Sequence, residues 1–187
     1  KPAVPFGGIY RIIDFTLSNC INSGLRRIFV LIQYKSFSLQ KHIVTGWDVV
    51  STQLGEFIDV IPAQQRLGDD WYKGTADAIY QNICAINDQN PELVLILAGD
   101  HLYKMDYQKM IEEHLKVGAD VSVACIKMPK DESPHFGVIE VHKDSFICGF
   151  QEKPVSPKTI PQEADKIYAS MGIYLFNKKM LVDQLEK

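Results

Sequence analysis

At 187 residues, with 46% hydrophobic and 23% charged side chains, the chain has the profile of one globular domain with a core of its own, since domains run to about 150 residues. Twenty Lys and Arg stand against 23 Asp and Glu, a formal net charge of −3, so no diffuse positive field gathers nucleic acid or an anionic membrane, and any recognition of a polyanion must be local. No apolar run reaches the ~20 residues of a membrane-spanning helix, and no signal-peptide pattern opens the chain. Cys20, Cys84, Cys125 and Cys148 lie far apart in apolar stretches without a CxxC or Cys/His cluster, so they are expected to be reduced core thiols of a cytoplasmic protein. Lys1-Pro2-Ala3-Val4 opens in mid-pattern without Met, and Leu185-Glu186-Lys187 stops inside a helical one. The expectation is an excised piece of a longer protein.

Residues 26–33 (RRIFVLIQ) form a β-branched and aromatic run that predicts a strand. A helix is predicted over 75–87, where Ala76, Ile79, Ile83 and Ile86 recur at three- and four-residue spacing behind Thr75, which can cap the start. Residues 93–98 (LVLILA) show no polar alternation, as in a strand buried on both faces of a parallel sheet. Over 106–117 a second helix is predicted, with Met110, Ile111 and Leu115 inward and Gly118 as its stop, and 121–126 follow as a third strand. This alternation predicts an open α/β sheet with right-handed crossovers. After Pro129, residues 136–141 and 146–150 read as an antiparallel hairpin around a turn at 142–145, and 167–176 as a strand before a helix from Lys178. Three prolines make 154–161 a loop.

Three stretches carry candidate chemistry. LVLILA runs into Gly99-Asp100-His101, and in open α/β sheets ligands bind beyond the carboxyl ends of strands. Asp100 is therefore a candidate metal carboxylate, or else a cap for the next helix, a role better placed at Asp106. Gly74-Thr75-Ala76-Asp77-Ala78 opens a helix whose free N–H groups suit a base edge or a phosphate, although a well-packed helix start would look the same. Glu152-Lys153-Pro154 ends a strand, where neighbours point to opposite faces. The Lys could bind a phosphate and the Glu sugar hydroxyls, or the two could be an exposed ion pair. The five histidines show no metal spacing, and Met105, Met110 and Met171 read as core filling.

Read in order, KPAVPFGG, YRIIDFTLSNCINSG, PAQQR, WYKGTADA, LAGDHLYKMDY, FGVIEV, EKP and ASMGIY resemble the catalytic domain of the glucose-1-phosphate adenylyltransferases (ADP-glucose pyrophosphorylases), a family of sugar-phosphate nucleotidyltransferases. The resemblance covers nearly the whole chain. It implies a Rossmann-like mixed, mostly parallel sheet flanked by helices. It also implies transfer of the adenylyl group of ATP to α-D-glucose 1-phosphate, giving ADP-glucose and pyrophosphate for glycogen or starch synthesis.

By the same resemblance Asp100 matches the carboxylate that binds the catalytic Mg²⁺, and Lys1 the lysine of the KP pair near the nucleotide phosphates. Tyr72, Gly137, Glu152, Lys153 and Ser170 match residues around glucose 1-phosphate, with Lys153 on its phosphate. Gln65 and Gly74 match the region that holds the adenine, and Arg11 and Gln33 fall where some bacterial members sense or transmit allosteric effectors. Catalysis would rest on Asp100, Lys1 and Lys153. The resemblance implies ATP and glucose 1-phosphate as partners, with neither nucleic acid nor membrane, and a cytoplasmic homotetramer for the full-length protein. The family's GGxGxRL loop, second metal-binding Asp and C-terminal β-helix domain fall outside 1–187. Residues 1–187 are thus expected to be a partial catalytic domain, inactive alone. The alternatives are a catalytically silent regulatory subunit, against which intact Asp100 and Lys153 argue, and a relative using another nucleotide or sugar phosphate.

Overall fold

A computed structural model describes residues 1–33, 36–63, 72–142 and 145–187. Where length argues for one domain, the chain divides into two compact units: Lys1–Val94 with Gly99–Asp120 and Phe176–Lys187, and Leu95–Ala98 with Val121–Leu175.

The first unit opens with a small antiparallel hairpin, β1 (Pro5–Phe6) and β2 (Tyr10–Arg11), turned by Gly7 and Gly8 at φ +55° and +94°, where glycine alone is unstrained. Then come α1 (Ile13–Asn22), β3 (Arg27–Ile32), α2 (Ser36–Gly46) and β4 (Phe57–Pro62). β3 and β4 pair in parallel from Arg27 opposite Phe57 to Ile32 opposite Pro62. α1, β3 and α2 each supply a spaced pair to one core cluster: Ile13 and Leu17, Val30 and Ile32, Leu39 and Ile43. Four-residue spacing on the helices and two-residue spacing on the strand are what put each pair on one face.

The single helix predicted over 75–87 is two: α3 (Thr75–Gln81) and α4 (Ile83–Gln89). Asn82 breaks it. Its own N–H bonds the Ile79 carbonyl at 3.0 Å, while its side chain takes the Ala78 carbonyl at 2.8 Å that helix continuation would have used. Thr75 is the first helical residue and not the cap; extended Gly74 precedes it, and the Asp77 carboxylate accepts the Lys73 N–H at 2.8 Å. β5 (Leu93–Leu97) leads to α5 (Tyr107–Val117), capped as expected by Asp106, whose carboxylate accepts the Gln108 N–H at 3.0 Å. Its inward stripe differs from the expectation. Tyr107 and His114 are buried and Leu115 is exposed, because Leu115 lies one residue, about 100°, round from the 107–110–114 face. The last helix, α6 (Lys178–Leu185), buries Leu181.

In the second unit β6 (Val121–Pro129), β7 (Gly137–Val141), β8 (Ile147–Glu152) and β9 (Lys166–Asn177) join β5 in a five-stranded sheet of order β5-β9-β7-β8, with β6 also on β9. The predicted hairpin is present: β7 pairs antiparallel with β8, and also with β9. Val138, Ile167, Ala169, Ile173 and Leu175 are fully buried or nearly so, with period two along β9. The whole is thus a mixed α/β fold. Two expectations are corrected. Among the described residues the runs 26–33 and 93–98 belong to different sheets, since apolar composition marks a strand without choosing its partner. β5 is half-buried throughout and is, among the described residues, a terminal strand of its sheet.

No cysteine is in a disulfide, but only Cys20 is a core thiol: Cys125 is half-buried, and Cys84 and Cys148 are exposed, the last on terminal strand β8. Among the described residues no helix is long and apolar enough to cross a membrane.

Candidate active site

The first unit presents Asp100 on the turn that follows β5. Its side chain is 32% exposed, and His101 Nε2 lies 3.7 Å from Oδ1. With Asp106 capping α5, Asp100 is not consumed as a helix cap. A Cβ added to Gly99 would touch Pro2 at 3.6 Å and Ile13 at 3.8 Å, so the start of the turn packs against the KP pair. That pair is held in turn by backbone bonds from Val4 N–H to the Lys1 carbonyl (2.9 Å) and from Ile13 N–H to the Pro2 carbonyl (3.1 Å). Exposed Lys1 and half-exposed Asp100 therefore flank one Pro2–Gly99 contact.

Beyond Asp100 the chain is anchored by a feature the sequence reading missed. Thr16, Asn19, Cys20 and Ser23 of α1 and its C-terminus are all buried, and their three- and four-residue spacing makes one stripe. Asn19 Nδ2 donates to the Tyr103 carbonyl at 3.0 Å and its Oδ1 accepts the Met105 N–H at 3.4 Å. The Ser23 hydroxyl accepts the Tyr107 N–H at 2.8 Å, and the Ser23 carbonyl accepts Gln108 Nε2 at 2.6 Å. The Tyr103 and Tyr107 hydroxyls meet at 2.6 Å; burial raises the pKa of both. Polar residues at helical spacing were the available signal.

Tyr72 is half-buried with its hydroxyl accepting a 2.9 Å bond from Asn82, which ties it to the break between α3 and α4. Gly74 is exposed, and among the described residues a Cβ added there would meet nothing within 4 Å. Gln65 lies outside the described residues.

The second unit gathers the remaining residues. Gly137 pairs with Glu152 across β7 and β8, and the antiparallel register Val138–Ala169, continued one step, brings Gly137 level with Ser170 on β9. Glu152, Gly137 and Ser170 thus form a row across three strands. A Cβ on Gly137 would stand 2.6 Å from the Phe150 ring and 3.4 Å from Glu152 Oε2, so glycine is what lets the ring and the carboxylate lie down over β7. Ser170 Oγ accepts the Gly172 N–H at 3.3 Å and lies 3.2 Å from the Tyr174 hydroxyl. Lys153, one residue past β8, has φ +46°, and its N–H donates to the Phe136 carbonyl at 3.1 Å. This left-handed step overrides strand alternation. Instead of pointing to the opposite face, Lys153 places Nζ 3.5 Å from Glu152 Oε1, both side chains remaining more than half exposed.

Arg11 donates to the Ser38 hydroxyl at 2.8 Å and the Ala3 carbonyl at 3.3 Å and lines a cavity of about 790 Å³ with Asp14, Lys41, His42 and Trp47, to which Gln33 does not contribute. Buried Asp14 organises this corner: it accepts the Arg11 N–H and Trp47 Nε1, each at 2.8 Å, with His42 Nε2 at 2.8 and 2.9 Å from its two oxygens.

The mixed α/β fold is shared with known proteins. The chain belongs to the nucleotidyl transferase family, whose model matches residues 1–187. Among curated relatives it is 55% identical to glucose-1-phosphate adenylyltransferase 2 of Alkalilimnicola ehrlichii over 99% of this chain and 44% of that protein. It is likewise 55% identical to the glucose-1-phosphate adenylyltransferase of Paramagnetospirillum magneticum over 100% and 44%. The chain thus spans less than half the length of these relatives. In structure it resembles HddC from Yersinia pseudotuberculosis, with a TM-score of 0.70 at 19% identity over 97% of this chain and 69% of the other, a likeness of fold.

Proposed function

We propose that this chain supplies the sugar-phosphate pocket and one metal carboxylate of an enzyme that transfers the adenylyl group of ATP to glucose 1-phosphate, releasing pyrophosphate. The observation that carries this reading is the Asp100 carboxylate, half-exposed beyond β5, spared from capping and packed through Gly99 against the KP pair. Names of relatives 55% identical support the choice of substrates. The parallel β3–β4 pair supports the finer reading of the fold as Rossmann-like. Family resemblance extends the proposal to a cytoplasmic homotetramer for the whole protein.

Mg²⁺ is held by one or two carboxylates together with substrate phosphates. Asp100 offers hard oxygens of that kind, so it fits an ion shared with substrate phosphates. When bound, it neutralises charge on the phosphates as the bond to the α-phosphorus is exchanged. Lys1 adds positive charge at the nucleotide phosphates. Lys153 binds the phosphate of glucose 1-phosphate, whose oxygen is the nucleophile, and Glu152 accepts hydrogen bonds from sugar hydroxyls while Gly137 leaves room above β7. Gln65 and Gly74 border the adenine, and Tyr72 and Ser170 the sugar. Arg11 and Gln33 are proposed to take part in effector response.

In the native protein, Asp100→Asn should lower kcat by about 10²-fold or more with smaller changes in either KM, because a charged ligand acting on the transition state is lost. A kcat within a few-fold of wild type refutes the assignment.

A further inference from the structure

We infer that the polar stripe of α1 is a positioning device for the Asp100 turn, with Asn19 as its central positioning residue; this rests on reading Asp100 as the Mg²⁺ carboxylate. The segment from Gly99 to Gln108 has no regular secondary structure until α5 begins at Tyr107, so the order of its first residues comes from outside. It comes from α1, its C-terminus and Pro2. Gly99 packs on Ile13 and on Pro2, whose carbonyl accepts the Ile13 N–H. Asn19 then takes one carbonyl and one N–H two residues apart, Tyr103 and Met105, as a neighbouring strand would. Ser23 takes the N–H of Tyr107 and the side chain of Gln108. Asp100, His101 and Leu102 are left between these anchors, with Leu102 52% exposed and no helix cap to make.

The choice of residues follows from that task. Asn19 is 6% and Ser23 2% exposed, and a buried polar side chain on a helix is costly unless its hydrogen bonds are met. Apolar residues here would seal α1 equally well but leave the carbonyl of Tyr103 and the N–H groups of Met105 and Tyr107 without these partners. A carboxamide meets a carbonyl and an N–H together through a single planar group. Because Asn19 lies on the helix that also carries core residues Ile13 and Leu17, the position of Asp100 is referred to the core and not to the loop itself. Small displacements of a catalytic group are expensive, about 10²-fold for 1 Å.

The test uses the native protein with Asn19→Ala, Asn19→Ser, Ser23→Ala and, for reference, Asp100→Asn. Without ligands, amide hydrogen exchange over 99–107 should quicken in the Asn19 variants while exchange in β3 stays as in wild type. In steady state, kcat should fall about tenfold or more and the Mg²⁺ concentration for half-activation should rise several-fold, with KM for glucose 1-phosphate within about twofold. Ser23→Ala should shift both in the same direction by less. Unchanged exchange over 99–107, or a fall in kcat with unchanged Mg²⁺ half-activation, overturns the inference even if Asp100→Asn is inactive. If Asp100→Asn keeps wild-type kcat, the metal reading itself fails, whatever the Asn19 variants do. Should Asn19→Ala not fold, Asn19→Ser and Ser23→Ala carry the same outcomes.

Discussion

Cys20 sits 3% exposed on α1, and burial pushes its thiol up from 9.0 to about 12. Burial acts the same way on the hydroxyls of Tyr103 and Tyr107, so three acidic groups packed at one helix face resist ionisation in the folded state. The sign of the linkage is set by the raised values: the stabilisation is complete below the unfolded pKa near 9.0 and is lost as pH climbs toward about 12. The native protein should therefore lose thermal stability progressively from pH 9 upward, and Cys20→Ala should flatten that decline. Melting curves from pH 7.5 to 11 with the same alkaline slope in both proteins would contradict it. The same burial explains why Cys20 should resist alkylation at pH 8 when exposed Cys84 and Cys148 react.

The elements hold because each has two faces with different duties, and α1 is the clearest case. It has ten residues and no side-chain cap, too short to persist alone in water. Its order comes from Ile13 and Leu17 packed on β3 and α2. Leu17→Ala removes a side chain that is 2% exposed and should cost about 2–5 kcal/mol, measured by urea unfolding; a loss under about 1 kcal/mol would mean the site collapses freely. Strands 26–33 and 93–98 and the capped start of α5 were legible because a β-branched run and an Asp before a helix carry their signal locally. The break at Asn82 was not, since it depends on a side chain that captures its own helix's carbonyl and the Tyr72 hydroxyl together. Likewise Leu115 reads as core until the burial of Tyr107 and His114 sets the angle of the stripe, and the partners of Asn19 lie 84 and 86 residues away. Asp100 was legible as a strand-end carboxylate. The course of Lys153 was not, because its left-handed φ breaks the alternation on which the reading relied.

At the scale of the whole chain, the proposed roles divide by unit: Lys1, Gly74 and Asp100 fall in the first, and Gly137, Glu152, Lys153 and Ser170 in the second. Tyr72 is the exception, a sugar-side residue held in the first unit by Asn82. This division predicts a kinetic one. Lys153 keeps 59% of its side chain exposed, with one loose carboxylate partner among the described residues, Glu152 at 3.5 Å, so its charge is available to a phosphate and its removal leaves none of their buried groups unpaired. A backbone at φ +46° is strained for any residue but glycine, and it is maintained by the Phe136 carbonyl, which Lys153→Ala does not touch. The substitution should thus delete a charge without moving the row of Glu152, Gly137 and Ser170. A lysine that binds the sugar phosphate acts alike on ground and transition states. In the native protein Lys153→Ala should then raise KM for glucose 1-phosphate by about tenfold or more, the 1.5–3 kcal/mol of a hydrogen bond to a charged group, and leave KM for ATP within about twofold. Equal increases for both substrates, or a change confined to ATP, would assign Lys153 elsewhere and detach the row on β7, β8 and β9 from the sugar phosphate.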